Sequence, residues 1–269
     1  MDEKIKFVFI LALGKKHLDL AHKCLVSIRL QTYKNWFILL YNDTEFPSQK
    51  EIINDPKIKW FNDGKNKGQV HRLNQGLHYL LSKEKNPDEI IYVNFHGMDD
   101  HLYDIKVLEN VAQCIWGFNT QWLYGNSNQI EEREKEYLVS ACSPGLYEKK
   151  MLKKKNYIPG GSVFVNLELY RQAGDFRDLM FGQGADWDMW LRLGDIVTPR
   201  YINYMIYTER LGTSMIRPKP KTLKTKIFNR IKYPIWRIER ELRPIQQPYK
   251  QSQGTSWNSD ISSSECTDN

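Results

Sequence analysis

An alternation between two hydrophobic periods runs through the first 125 residues and leaves the chain few ways to fold. Ile5 to Leu13 is a nearly unbroken apolar run; Leu18, Ala21, Cys24, Leu25 and Ile28 then recur at helical spacing, and Trp36 to Tyr41 is apolar again. A strand that is apolar along its whole length must be covered on both faces. Parallel neighbours also need a crossover, usually a helix, so the pattern predicts a βαβ unit. The alternation continues. Ile58 to Phe61 reads as a third strand, Val70, Leu73, Leu77, Leu80 and Leu81 as a helical stripe, and Ile90 to Phe95 as a fourth strand. A short helix is predicted from Pro47. Leu102, Ile105, Leu108, Ala112 and Ile115 predict another amphipathic helix, and Trp122 to Tyr124 a short strand ending at Gly125. Residues 1–125 therefore read as an α/β half with a Rossmann-like, mostly parallel sheet flanked by helices.

The middle of the chain is less regular. Residues 126–158 are charged and aromatic with weak periodicity, which predicts mostly loop with one strand at Tyr137 to Cys142. Pro159, Gly160 and Gly161 break the chain before a short strand at Val163 to Val165 and a helix from Leu167 to Ala173. A Gly-rich loop then leads into ADWDMWLRLGD, where Asp186 stands in the N-cap position and Trp187, Trp190 and Leu191 supply an apolar face. With an aromatic strand at Tyr201 to Tyr207, one domain over 1–216 is expected, its second half being 126–216.

Charge separates the rest of the chain from this domain. The net charge is +7, yet Arg217 to Arg243 holds ten Lys or Arg against Glu239 and Glu241, so the first 216 residues are nearly neutral. That removes the compositional support for nucleic-acid binding by the main domain. Within the basic segment 217–243, Leu223, Ile227, Ile231, Ile235, Ile238 and Leu242 recur at helical spacing, the pattern of an amphipathic helix able to lie on a membrane surface or to pack back on the domain. Residues 244–269, rich in Ser, Gln and Asn, are expected to be disordered. Cys24, Cys114, Cys142 and Cys266 form no CxxC pair, and Ile5 to Leu13 is too short for a membrane span and lacks the cleavage pattern of a signal peptide, so a reducing cytoplasmic setting is expected, peripheral on a membrane if the basic segment binds one.

Chemistry is carried by acids at strand and helix ends. The fourth strand stops at Gly97, Met98, Asp99 and Asp100, and the second at Asn42, Asp43 and Thr44, at the sheet edge where α/β folds bind ligands. Two adjacent carboxylates repel unless a hard divalent cation shared with substrate phosphates relieves them; the competing use of Asp here is a turn or helix cap. Asp186 and Asp188 pose the same choice. Two residues apart on a helix they point to different sides, so one acts and the other supports. A carboxylate at a loop-helix junction is suited to general-base work or to complementing the helix dipole.

The order of these pieces, a strand ending in NDT, Asn66 to Gly68 and Asn74 to Gly76, a strand ending in MDD, a GGS turn and ADWDMWLRL, closely resembles the family 2 glycosyltransferases of GT-A fold, over about Phe7 to Leu193. The resemblance implies inverting sugar transfer from a nucleotide-diphosphate donor, expected here to be a UDP-sugar, with Mn²⁺ or Mg²⁺, to an acceptor hydroxyl; a glycan acceptor is expected, or a lipid-linked one if the basic segment binds a membrane. It implies that Asp43, with Asn42 nearby, meets the base or ribose, with Arg72 close to the nucleotide. It further implies that Asp99 binds the metal, Asp100 lines the donor sugar, Gly160, Gly161 and Ser162 form the turn beside both sugars, and Asp186 is the catalytic base. Trp187 and Asp188 fall on the acceptor side. The chain departs from the family pattern where Asn42, Gly97 and Ala185 replace acids, and Arg210 to Ser214 holds no His. Two other readings compete: a catalytically degenerate protein acting through its basic segment on membranes or nucleic acid, and a nucleotidyltransferase, which should carry a Gly-rich basic loop after the first strand where only Gly14, Lys15 and Lys16 stand.

Overall fold

The computed structural model describes residues 4–44, 55–133, 136–178 and 184–211. The helix expected from Pro47, the basic segment 217–243 and the tail 244–269 lie outside the described residues. Strands β1 (Ile5–Leu13), β2 (Trp36–Asn42), β3 (Ile58–Asn62) and β4 (Ile90–Asn94) run parallel in the order β3-β2-β1-β4, with helices α1 (Leu18–Arg29) and α2 (Gln69–Leu81) in the crossovers. These are the elements predicted from the hydrophobic periods. Because side chains alternate along a strand, β1 sends Val8 and Ile10 to one face and Ile5, Phe7, Phe9 and Leu11 to the other, and both sets are buried.

A single sheet continues across residue 125. Beyond β4 it adds β8 (Val163–Asn166), antiparallel to both neighbours, then β6 (Trp122–Arg133), β9 (Arg200–Leu211), which runs parallel to β6, and β5 (His101–Leu102). One face is covered by α1 and α3 (Val107–Phe118); the other is covered by α2, α5 (Leu167–Ala173) and α6 (Ala185–Ile196), with the short α4 (Lys149–Leu152) preceding these two in the chain. The fold is α/β with a mixed, mostly parallel sheet and flanking helices. Among the described residues no helix is long and apolar enough to cross a membrane.

Two expectations are corrected. The short strand ending at Gly125 instead runs on to Arg133, pairing antiparallel with β7 (Glu136–Cys142) and parallel with β9. Gly125 is a bulge within it: a Cβ there would lie 2.7 Å from the Tyr204 carbonyl oxygen, so only glycine lets the two backbones approach. Leu102 does not begin a helix. His101 and Leu102 pair with Thr208 and Tyr207, and the helix starts at Val107.

Strand order reverses between β1 and β4. The chain beyond their carboxyl ends, Gly14 to His17 and Phe95 to Asp100, therefore lies at the crevice where doubly wound sheets take ligands.

Candidate active site

The end of β2 is built as an anion clamp inside the protein. Arg72, buried on α2, donates from Nε to Asp43 Oδ1 (3.0 Å), from Nη1 to Asp63 Oδ2 (3.0 Å) and Gln75 Oε1 (2.9 Å), and from Nη2 to Asp63 Oδ1 (2.7 Å) and the Asn42 (3.2 Å) and Lys65 carbonyls. All five guanidinium donors are engaged. Arg72 thus ties the end of β2 to the loop that follows β3. Asp43 accepts the Lys67 N–H (2.7 Å) and the Gly68 N–H (3.1 Å to Oδ2) at the start of α2, where Gly68, at φ 83°, has no side chain to cap the helix. Asn42 accepts from Thr44 Oγ1 (2.6 Å) and donates to Asn62 Oδ1 (3.1 Å), shaping the same turn. Asp63 was not singled out by sequence, although the strand ending in NDG repeats the signal seen in NDT. Arg72 and Lys67 hold its carboxyl well below the usual carboxylate range.

The two conspicuous small residues on α2 are explained by contact. Gly76 passes β1 so closely that a Cβ would meet Ile10 Cγ2 at 2.5 Å. Asn74 exchanges two hydrogen bonds with the Phe176 backbone, each of 2.8 Å, and ties the 174–177 loop to this helix.

Beyond β4 the chain turns at Gly97, with the Asp100 N–H donating to the Gly97 carbonyl (3.1 Å). A Cβ on Gly97 would lie 2.3 Å from Asp99 Oδ1 and 3.1 Å from Asp100 Oδ2. The space that an acid at this position would take is filled by the two carboxylates that follow, which is the physical counterpart of the departure at Gly97. Asp100 Oδ1 accepts the Arg210 N–H (3.0 Å), fastening the turn to β9, and Asp99 Oδ2 lies 3.8 Å from His17 Nε2. Burial, and then the adjacent Asp99 charge, push the Asp100 carboxyl well above its ordinary range. Among the described residues no three His, Cys, Asp or Glu side chains converge as a metal site. Two adjacent carboxylates at one turn would nevertheless fit a hard divalent cation completed by phosphate oxygens. His96 does not join it. Its Nδ1 pairs with Asn94 Oδ1 (3.0 Å) and its Nε2 with Cys24 Sγ (3.4 Å), and burial brings its pKa down to about 4, so the ring is neutral at pH 7.

The third part is the GGS turn, a single 3₁₀ turn over Gly160–Ser162. Asn94 Nδ2 donates to the carbonyls of Gly161 and Val163, both at 2.9 Å, so β4 fixes this turn as well as the acidic one. Gly161 lies under the ring of Tyr207, whose Cε2 would be 2.5 Å from a Cβ. Burial, and with it the charges of Glu209, Asp100 and Asp186, drive the Tyr207 hydroxyl well above its usual value.

Asp186 is the second residue of α6, not its N-cap. Gly184 takes that place in the left-handed conformation at φ 79°, which glycine adopts without strain. The carboxylate of Asp186 is turned toward the GGS turn: Oδ2 accepts from Asn156 Nδ2 (2.9 Å), and a Cβ on Gly160 would be 3.7 Å away. Asp188 departs from the acceptor-side expectation. It is fully buried, accepting at Oδ2 from Arg177 Nε (2.8 Å) and Arg192 Nε (3.0 Å), with Arg177 Nη2 on Oδ1. Trp187 donates to the Leu152 carbonyl (2.6 Å) and packs, partly buried, against the core. Asn156 and Tyr207 carry no sequence signal for this site; they come to it by packing.

Solved structures share this architecture. S. aureus TarS 1-349 matches with a TM-score of 0.58 and 13% identity, over 76% of this chain and 60% of that one. The same protein in complex with UDP-GlcNAc matches with a TM-score of 0.59 and 12% identity, over 91% of this chain and 68% of that one. The fold is of the GT-A type. In another structure of S. aureus TarS the match covers 77% of this chain and 37% of that one. The chain thus spans about 60% of the first of these TarS structures, and at such identity the likeness speaks for the fold. No family model matches the chain, and no curated protein does.

Proposed function

We propose that this GT-A-type domain is a glycosyltransferase that moves a sugar from a nucleotide-diphosphate donor, with UDP-GlcNAc the first to test, to an acceptor hydroxyl with inversion. The observation that carries the proposal is that β4 ends in the turn bearing Asp99 and Asp100 and, through Asn94, also holds the GGS turn, beside which Asp186 lies. The TarS complex with UDP-GlcNAc supports the donor class.

In this reading the clamped loop around Asn42, Asp43 and Asp63 receives the base and ribose, Asp99 holds the cation, and Asp100 lies against the donor sugar. The cation, when bound, neutralises charge on the departing diphosphate. Asp186 takes the proton of the acceptor hydroxyl as that oxygen attacks the anomeric carbon from the face opposite the diphosphate. Gly161 and Tyr207 shape the floor between the two. A glycan or lipid-linked acceptor is proposed, the latter if residues 217–243 bring the domain to a membrane.

The test is turnover of a panel of sugar nucleotides with Mn²⁺, Mg²⁺ or EDTA, together with thermal stabilisation by each donor. Asp186→Asn is expected to lower turnover by about 10²-fold to 10⁴-fold while the protein still binds the donor. Near-normal turnover in that variant removes the assignment of the base, and neither binding nor turnover of any sugar nucleotide removes the function.

A further inference from the structure

The side chain that meets Asp186 is itself incompletely satisfied. Asn156 donates from Nδ2 to Asp186 Oδ2 at 2.9 Å, whereas its own Oδ1 is buried with no hydrogen-bond partner. Such an orphaned carbonyl carries its desolvation cost without return, and native structures hold few of them. Turning the amide over would set Oδ1 against a carboxylate, which has only acceptors to offer. The carboxylate therefore dictates which way Asn156 faces.

The loop that carries Asn156 is held on both sides. Leu152 and Ile158 are buried, and the Glu148 N–H donates to Tyr157 Oη at 2.7 Å. The amide is thus presented to α6 by a fixed backbone. Gly160 lies beside it, where a Cβ would be 3.7 Å from Asp186 Oδ2.

We propose that Asn156 is a positioning residue for the base: its N–H holds the Asp186 carboxylate ionised and aimed at the acceptor hydroxyl, at the expense of its own carbonyl. This rests on Asp186 being the base. Tyr207 on β9 feels the charge of Asp186 together with those of Glu209 and Asp100. On α6, the Asp188 charge is balanced by Arg177 and Arg192, which are bound to it. A hydrogen-bond donor fixed on a carboxylate favours its ionised form.

The orphaned oxygen makes the idea separable from a merely structural role. Asn156→Leu removes the donor and the unpaired carbonyl together, so its urea midpoint is expected to equal or exceed that of the parent. Its kcat/KM at pH 7 is expected to fall about tenfold or more, from loss of a hydrogen bond to a charged group. Half of the signature is the acid limb of the pH profile, which should move to higher pH while thermal stabilisation by UDP-GlcNAc is kept. Asn156→Asp, of the same shape, should move that limb further and regain activity as pH rises. An unmoved acid limb in both variants overturns the proposal, as does failure of both to fold. Should the parent turn over a sugar nucleotide and Asp186→Asn do so equally well, the base assignment has failed and this inference falls with it. An Asp186→Asn defect with an unmoved limb in both Asn156 variants rejects the inference alone.

Discussion

Asp186 and Asp188 stand two residues apart in the same helical turn, and the structure predicts opposite consequences for losing them. Asp188 is fully buried and touches two arginines that are 7% and 11% exposed. Asp188→Asn keeps the shape and removes the charge that the Arg177 and Arg192 guanidinium groups share. Breaking a buried pair from one side costs about 3–5 kcal/mol. Arg192 retains the Ala173 carbonyl and the Asp175 carbonyl (2.8 Å), which places the expectation near the lower end, about 3 kcal/mol. Burial already pulls the Arg192 guanidinium below its ordinary pKa against the opposing pull of Asp188, so the loss falls on a group with little to spare. The same bonds dock α6 onto the end of α5. Urea unfolding should therefore show a large fraction of a typical 5–15 kcal/mol domain stability gone, with a midpoint temperature lower by on the order of 10 °C. Asp186→Asn, at the partly exposed end of the helix, should stay within about 1 kcal/mol of the parent. An Asp188→Asn protein within that same margin would refute the view that this carboxylate is sealed between two charges.

Two further substitutions probe the floor of the site. Gly161→Ala would put a methyl 2.5 Å from Tyr207 Cε2 in a fully packed region, at an expected cost of about 1–3 kcal/mol and with turnover reduced as the ring is displaced; parent-like stability and turnover would reject the close approach. Asp100→Asn tests the acidic turn through pH. Burial and Asp99 hold the Asp100 carboxyl above its unfolded value, so the folded state binds this proton more tightly and the group's contribution to stability falls as pH rises from the unfolded pKa to the folded one. Asp100→Asn should match the parent near pH 3 and exceed it by on the order of 1 kcal/mol at pH 8, although sugar transfer is lost. A difference that does not change with pH would show that the carboxyl is not destabilised in the fold.

Much of the parallel half was legible before any coordinates. Continuous apolar runs such as Ile5 to Leu13 can be satisfied only between two layers of helix, and stripes such as Leu73, Leu77, Leu80 and Leu81 name the layer that covers them. The ribbon of β6 and β7 was hidden for the converse reason. Its NSNQIEER stretch is joined by backbone hydrogen bonds that any residue makes, and it carries no alternation of apolar side chains to betray a strand. The helix expected from Leu102 failed because two residues there are claimed by β9, a partner more than a hundred residues away.

The sequence by itself determined that acids stand at the ends of β2, β4 and at the start of α6, and that Asp186 and Asp188 cannot share one small site, because successive helical residues turn by a fixed angle. It could not say which of the two faces the core. Only the tertiary structure brings Arg177 and Arg192 to Asp188 and Asn156 to Asp186, joins Arg72 to Asp43 and Asp63, and fills the space beside Gly97 with the carboxylates of its neighbours. Strand and helix ends are written in local periodicity. Which charge is sealed and which is left to act depends on groups distant in sequence that packing alone makes neighbours.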